Sequence, residues 1–392
     1  MTEAAKKPYL VVGVAPLWEL EYTGIANVVY ELALRFNGQG RERFDVLFSV
    51  FNKLVDKEII ENCISQRSGM KLRQAFESGT GITEIPVNEQ GLINGRAAFG
   101  LFLHTKPPKR VFCKDSHLYY DFSFLLTPEC HTQDNVTFHL DGLVQQIETT
   151  DLFFAISEAT ARDLRWMFNI PENRVVVTLL GNNADTTAAE AARRALGKSL
   201  VEPYFLMLGT IEPRKNIPLV LDWLSINREF LTKFRVVFAG REGWGKSFRQ
   251  YLIDYQLEDM FEAGRIVHLG YVTEELKATL IVAAKAVIYP SLFEGFGLPV
   301  LEAMALGTPV LASCSTSIPE VLGETGYYYD PYSIESFGSA IREFFYDEST
   351  GYIEKRICSA KARAAQFSYD DTFNSMYSAL VSEFCDSVAT LD

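Results

Sequence analysis

Two carboxylates separated by seven residues, Glu294 and Glu302, bracket the string Gly295-Phe296-Gly297-Leu298-Pro299 in a chain of 392 residues. Gly295 and Gly297 let backbone approach a ligand closely or adopt φ > 0. Pro299 suits the first turn of a helix, where its missing N–H costs nothing. A helix start with exposed N–H groups and a positive dipole end is an anion site. Glu302 falls about one turn inside that helix and Glu294 on the loop before it, so both carboxylates can reach one pocket. Two acids beside an anion site are odd for phosphate alone. They fit a phosphate joined to sugars, because carboxylates accept hydrogen bonds from vicinal hydroxyls. Each acid taken singly has a plainer reading, Glu294 as a loop solubiliser and Glu302 as a charge matched to the helix dipole.

A second string, Leu208-Gly209-Thr210-Ile211-Glu212-Pro213-Arg214-Lys215-Asn216, also directly follows a strand pattern. Arg214 offers a planar fork and Lys215 a mobile point charge, a combination suited to a diphosphate leaving group. Asn216 is predicted to cap the helix beginning there. An Arg-Lys pair at a helix start is ordinarily just solvated; its meaning comes from sharing a domain with Glu294 and Glu302.

Both strings need strand ends to hold them. Short apolar runs at Tyr204 to Leu208, Phe234 to Ala239, Ile266 to Leu269, Ala286 to Tyr289 and Pro309 to Ala312 alternate with helical patterns at Ile217 to Phe230, Thr273 to Ala284, Leu298 to Leu306 and Ser333 to Tyr346. That alternation marks a parallel sheet covered on both faces, a doubly wound α/β domain whose ligands sit at the carboxyl ends of the strands. The first half has a looser version of the same rhythm: strands at Tyr9 to Ala15, Phe44 to Phe51, Leu152 to Ile156 and Arg174 to Leu179, and a helix at Ala26 to Phe36. The polar, Ala- and Thr-rich stretch from Ala184 to Leu200 is taken as the boundary. The expected domains are 1–185 and 200–367, with 368–392 carrying a last amphipathic helix, Tyr369 to Phe384, that packs back toward the first domain.

Composition narrows the partners. Lys+Arg 37 against Asp+Glu 50 gives a net charge of −13, which argues against a nucleic-acid-coating protein. No run approaches the ~20 apolar residues of a membrane span, and Met1 to Lys7 is polar rather than signal-like, so a cytoplasmic location is expected. Six scattered cysteines without a Cys-x-x-Cys pair indicate free thiols. The turn Thr105-Lys106-Pro107-Pro108-Lys109-Arg110, with Phe102 and Phe112, reads first as a surface turn; as a basic-apolar patch it would make a peripheral contact with the inner face of a membrane.

The two strings resemble those of retaining glycosyltransferases of family 4, which have the GT-B fold, two Rossmann-like domains with parallel sheets facing a cleft. Glu294-x7-Glu302 resembles the family's paired-glutamate motif and Gly209 to Asn216 its diphosphate loop; Gly240 to Gly245, His268 to Val272 and Gly307 to Val310 also fit. The resemblance implies that Glu302 holds the ribose hydroxyls of a nucleotide-sugar and Glu294 the hydroxyls of the transferred sugar. It implies that backbone N–H groups from Phe296 through Gly297 to Leu298, with Arg214 and Lys215, stabilise the departing diphosphate. Gly209, Thr210 and Gly295 line that site, and Tyr271, Val272 and Lys277 fall where the family's loop touches the base. No Asp-x-Asp occurs in the chain, so the expectation is a metal-free site with no cofactor. The nucleotide-sugar donor would be GDP-mannose first and UDP-glucose next, and the acceptor a glycan or a lipid-linked glycan of the cell surface.

The first domain departs from the family pattern. In Thr23-Gly24-Ile25-Ala26-Asn27, Gly24 is kept, but Ala26 stands for a usual glycine and Asn27 for a frequent basic residue. In Tyr120-Asp121, Tyr120 stands where many relatives have His; Asp121 would orient the acceptor or relay a proton, with His117 nearby as a structural residue or a substitute. Thr210 stands where some relatives carry Arg. Two alternatives stay open: a nucleotide-sugar 2-epimerase, which shares the fold, and a non-catalytic sugar-nucleotide sensor, which the Ala26, Asn27 and Tyr120 departures make conceivable.

Overall fold

A computed structural model describes residues 6–22, 24–182, 184, 187 and 202–385. The chain divides into two compact units. The first comprises 1–121, 139–181 and 368–392, the second 122–138 and 182–367. The boundary stretch expected between Ala184 and Leu200 falls almost wholly outside the described residues.

The strands of the first unit are β1 (Tyr9–Gly13), β2 (Asp45–Val50), β3 (Lys53–Val55), β4 (Ile82–Glu84), β5 (Leu92–Ile93), β6 (Arg96–Phe102), β7 (Lys114–Tyr119), β8 (Leu152–Ala155) and β9 (Val175–Val177). They form one sheet in the order β4-β3-β2-β1-β6-β7-β8-β9, with β5 hairpinned onto β6. From β2 through β9 the pairings are parallel, Leu10 lying against Val46 on one side and Phe99 on the other. The order turns back on itself beside β1, so a crevice opens beyond the carboxyl ends of β1 and β6.

Five strands here, β3 to β7, have no counterpart among the expected ones. Asp115, Ser116 and His117 are buried on β7 and break the apolar run that would announce a buried strand. Their polar groups are met inside: Ser116 Oγ donates to the Gly100 carbonyl at 2.8 Å, and His117 Nε2 lies 2.6 Å from the His104 carbonyl. Burial holds the His117 imidazole down at about 3, so it stays neutral and serves the sheet; that is the structural reading of His117.

The basic-apolar patch is corrected. Lys106 is 3% exposed, and Phe102 and Phe112 are buried. The Lys106 ammonium turns inward to the buried Asp115 carboxylate at 3.5 Å and donates to Thr149 Oγ1 at 2.7 Å. Arg110 pairs with Asp151. The Pro107-Pro108 turn aims Lys106 at a buried acid, and an ion pair already satisfied inside has nothing to offer a membrane surface. Among the described residues no helix is long and apolar enough to cross a membrane.

The final helix, Tyr369–Leu380, lies on the first unit. Thr372 Oγ1 donates to the Leu179 carbonyl at 2.6 Å, and Phe373 meets Phe36 edge-on at 5.0 Å.

The second unit holds a six-stranded, all-parallel sheet of β10 (Tyr204–Leu208), β11 (Arg235–Ala239), β12 (Ile266–His268), β13 (Ala286–Tyr289), β14 (Val310–Ser313) and β15 (Tyr327–Tyr329). Their order is β12-β11-β10-β13-β14-β15. Phe205, Val236, Ile288 and Leu311 are buried and form a core with Trp223, Phe337 and Phe344 from the flanking helices. The order reverses between β10 and β13. The loops leaving those two strands therefore flank the crevice where doubly wound sheets bind ligands, and they are the two strings singled out above.

The segment Phe122–Phe138, placed by the sequence reading in the first domain, groups with the second unit. It is anchored there by Trp244, whose indole N–H donates to the Cys130 carbonyl at 2.7 Å and whose ring stacks on His131 at 6.0 Å.

Candidate functional site

The loop after β10 is fixed by its own backbone. Ile211 N–H donates to Arg241 O at 2.9 Å and Gly243 N–H to Ile211 O at 3.0 Å. Gly209 is at φ 127°, and a Cβ there would press at 3.1 Å on the Lys215 side chain, so the lysine stem crosses directly over it. A Cβ on Gly240 would lie 1.9 Å from Gly209 O. Asn216 does not cap the helix Ile217–Ile226 as expected. It sits at φ 51°, which swings its amide away from the helix, and it donates instead to Pro290 O at 3.2 Å and Pro331 O at 2.8 Å. It thus ties the loop after β10 to the end of β13.

The loop after β13 is held as firmly. Thr316 Oγ1 accepts from Glu294 N–H at 3.0 Å and donates to Glu294 O at 2.8 Å; Ser317 Oγ donates to the same carbonyl at 2.8 Å. Gly297, at φ 106°, begins the helix Leu298–Leu306, and Pro299 lies in its first turn. A side chain on Gly297 would meet Ile318 at 2.8 Å. The N–H groups of Phe296, Gly297 and Leu298 have no acceptor among the described residues, leaving three adjacent donors at a helix N-terminus.

Between these loops lies a buried ionic cluster. Lys215 Nζ is 2.6 Å from Glu294 Oε1, and Arg214 Nη1 is 3.0 Å from Glu294 Oε2. Arg214 also bonds Glu212 at 2.8 Å and the Phe293 carbonyl at 2.8 Å, while Lys215 reaches the Tyr289 hydroxyl at 3.1 Å. Glu294 is 7% exposed and Glu212 4%. Burial would push the Glu294 carboxyl up, but Arg214 and Lys215 together overcome it and hold it at about 2. Burial draws the Lys215 ammonium down, against the pull of Glu294. Two cations face two anions, so the cluster is neutral and its cations are oriented by acids.

Glu302 stands apart from this cluster. Its Oε1 accepts from Lys277 at 2.8 Å, and Lys277 also reaches Glu274 at 2.7 Å. Glu302 Oε2 is buried and has no hydrogen-bond partner among the described residues. An unmet buried carboxylate oxygen is costly and marks a place for an incoming hydroxyl. Burial raises the Glu302 carboxyl, against Lys277. Tyr271 and Val272 follow β12, with Tyr271 51% exposed. Thr210 lies in the loop after β10, its methyl against Gly243.

The second unit therefore brings together Glu294, Arg214, Lys215, Gly209, Thr210, Gly295, Phe296, Gly297 and Leu298 on the loops after β10 and β13, with Glu302 on the helix that follows. Gly24 and Asp121 belong to the first unit. Gly24, at φ 48°, opens the helix Ile25–Gly38, and Asp121 comes just after β7, where it adds to the upward shift that burial imposes on Asp163. Tyr120 is committed to the sheet: its hydroxyl donates to Leu103 O at 2.9 Å.

Several residues escaped the sequence reading. Arg67 donates to Asn27 Oδ1 at 2.8 Å and stacks over Tyr30, bringing a cation to the position where the expected basic residue is missing. Their separation of 40 positions in the chain hides that pairing. Glu212 reads as a turn residue but completes the Arg214 fork. His131 and Trp244 stack beside this loop; the Cys130 thiol, raised by burial, feels Arg214 and Glu212. Only the fold brings 122–138 to this place.

The chain is similar to known proteins in sequence and in fold. Residues 188–364 match the family model described as glycosyl transferases group 1. The chain is 32% identical over 260 residues to the O-antigen chain mannosyltransferase B of Escherichia coli, an alignment covering 64% of this chain and 66% of that protein. Sucrose-phosphate synthase from Thermosynechococcus elongatus superposes with a TM-score of 0.67 at 16% identity, over 97% of this chain and 100% of that one. Anabaena HepE, solved with UDP and glucose, superposes at 0.62 and 15% identity, over 96% of this chain and 100% of that one.

Proposed function

We propose that this chain, whose residues 188–364 match the glycosyl transferases group 1 model, moves a hexose from a nucleotide-diphosphate sugar to a glycan or lipid-linked glycan acceptor of the bacterial surface, with retention at the anomeric carbon and without a metal ion. The observation that carries the reading is Glu302, with one oxygen anchored on Lys277 and the other buried and unmet. A ribose presents vicinal hydroxyls that supply the missing donor. Three features support the rest: the Arg214 and Lys215 cations, the free N–H groups from Phe296 to Leu298, and a mannosyltransferase as relative. GDP-mannose is the first donor and UDP-glucose the second; the latter draws on a similar fold solved with UDP and glucose.

In this reading the diphosphate lies against the start of the helix Leu298–Leu306. Negative charge grows on the leaving diphosphate as the anomeric bond breaks, and Arg214 and Lys215 meet it already oriented. Glu294 aims both cations and borders the sugar. Asp121, from the first unit, serves the acceptor side, and Gly24 belongs to a glycine-bearing loop read as serving the diphosphate.

The test is donor turnover in the presence of EDTA. Incubation of the purified chain with GDP-mannose or UDP-glucose is expected to release nucleoside diphosphate and free sugar slowly, and faster when an acceptor glycan is added. An altered sugar still attached to its nucleotide, or no turnover of either donor with or without magnesium, would contradict the reading.

A further inference from the structure

The first unit carries a second pocket at its own sheet reversal. A cavity of about 290 Å³ opens beyond the ends of β1 and β6, where the strand order turns back. Its lining includes Ser49, Phe51, Asn52, Thr105 and the inward-turned Lys106. The side chains of Asn52 and Thr105 are exposed and make no hydrogen bond among the described residues.

Phe51 is the unusual member. Val50 pairs with Lys53, so Phe51 and Asn52 form a two-residue hairpin with φ of 49° and 62°. Such a turn favours Asn or Gly at both places, and a bulky aromatic in the left-handed region is an outlier. The ring is also 55% exposed. It is propped edge-on by Trp18 at 5.3 Å and Phe76 at 5.8 Å, which fixes the ring's orientation while leaving much of it to solvent. Local strain combined with an exposed, oriented aromatic and adjacent unpaired polar groups is the composition of a ligand site. A flat apolar ring beside amide and hydroxyl groups matches a pyranose, which has an apolar C–H face and a rim of hydroxyls.

We propose that this pocket receives a sugar ring of the acceptor, with Phe51 as the stacking platform and Asn52, Thr105 and Ser49 as partners for its hydroxyls. The assignment rests on the glycosyl-transfer reading and names the acceptor as a saccharide held by the first unit. Neither the hairpin nor its residues stood out in the sequence.

Saturation-transfer NMR tests it, using the methyl α-glycosides of mannose, glucose, galactose and N-acetylglucosamine at millimolar concentration. At least one glycoside is expected to give a signal with the wild-type chain, weakened about fivefold or more in Phe51→Asn and in Asn52→Ala. Phe51→Asn suits the left-handed turn and should leave the melting temperature close to the wild-type value, so loss of signal is not loss of fold. Signals unchanged in folded Phe51→Asn, or absent for all four glycosides, would overturn the proposal. Titration of GDP and UDP into the same samples separates the two failures. Nucleotide binding without glycoside binding removes this pocket alone, whereas binding of neither removes the transfer reading as well.

Discussion

Glu294→Gln is expected to lower sugar transfer by about 100-fold or more while binding free nucleoside diphosphate as tightly as wild type or tighter. The opposite signs follow from charge. Glu212 and Glu294 neutralise Arg214 and Lys215; a neutral amide at 294 leaves one excess positive charge, which attracts a diphosphate but no longer aims the cations. The same substitution should destabilise the second unit, since removing one partner of a buried pair costs about 3–5 kcal/mol. The acid dependence has a definite sign. Glu294 is depressed from 4.5 to about 2, so its stabilisation is complete above pH 4.5 and is lost as pH falls through about 2. Linkage puts this contribution at about 3 kcal/mol. Thermal melts of wild type and Glu294→Gln should therefore differ most above pH 4.5 and converge toward pH 2. A constant gap across that window would contradict the pairing.

Lys215→Ala is expected to reduce kcat for transfer by roughly 10²- to 10³-fold, or about 3–4 kcal/mol of transition-state stabilisation, with a much smaller change in donor KM. The ammonium sits between Glu294 and the Tyr289 hydroxyl and over the Tyr289 ring. From there it meets charge that appears on the leaving group only as the bond breaks, so its loss falls on kcat. Arg214 stays bonded to Glu212, Glu294 and the Phe293 carbonyl, which keeps the loop in place and the comparison clean. Steady-state kinetics with one donor settles the split. A variant that loses donor affinity and keeps kcat would place Lys215 in ground-state binding instead.

The second unit was largely legible in the sequence. β10 and β13 occupy the expected residues, and so does the helix Leu298–Leu306, because each strand is a continuous apolar run and each following loop carries glycine and proline punctuation. What the sequence could not show is pairing across the crevice. Lys215 and Glu294 are 79 residues apart, and no local pattern says that the second acid of the motif is held by Lys277. Nor could it show that Asn216, a natural cap residue, takes a left-handed backbone and bonds carbonyls of two other loops. The first unit was harder to read because its inner strand β7 buries an aspartate, a serine and a histidine, and because β3 to β5 are only two or three residues long. Lys106 misled for a related reason: a lysine in a proline turn reads as surface until Asp115 is seen beneath it.

The central claim is that Glu302 holds the ribose of a nucleotide diphosphate at a site that needs no metal. Calorimetric titration of GDP and UDP into wild type and Glu302→Ala, each with and without magnesium, tests it most directly. The account predicts that at least one nucleotide binds wild type with an affinity unchanged by magnesium, and that Glu302→Ala loses this binding while remaining folded. Binding that requires magnesium, or a folded Glu302→Ala that binds as tightly as wild type, would contradict it.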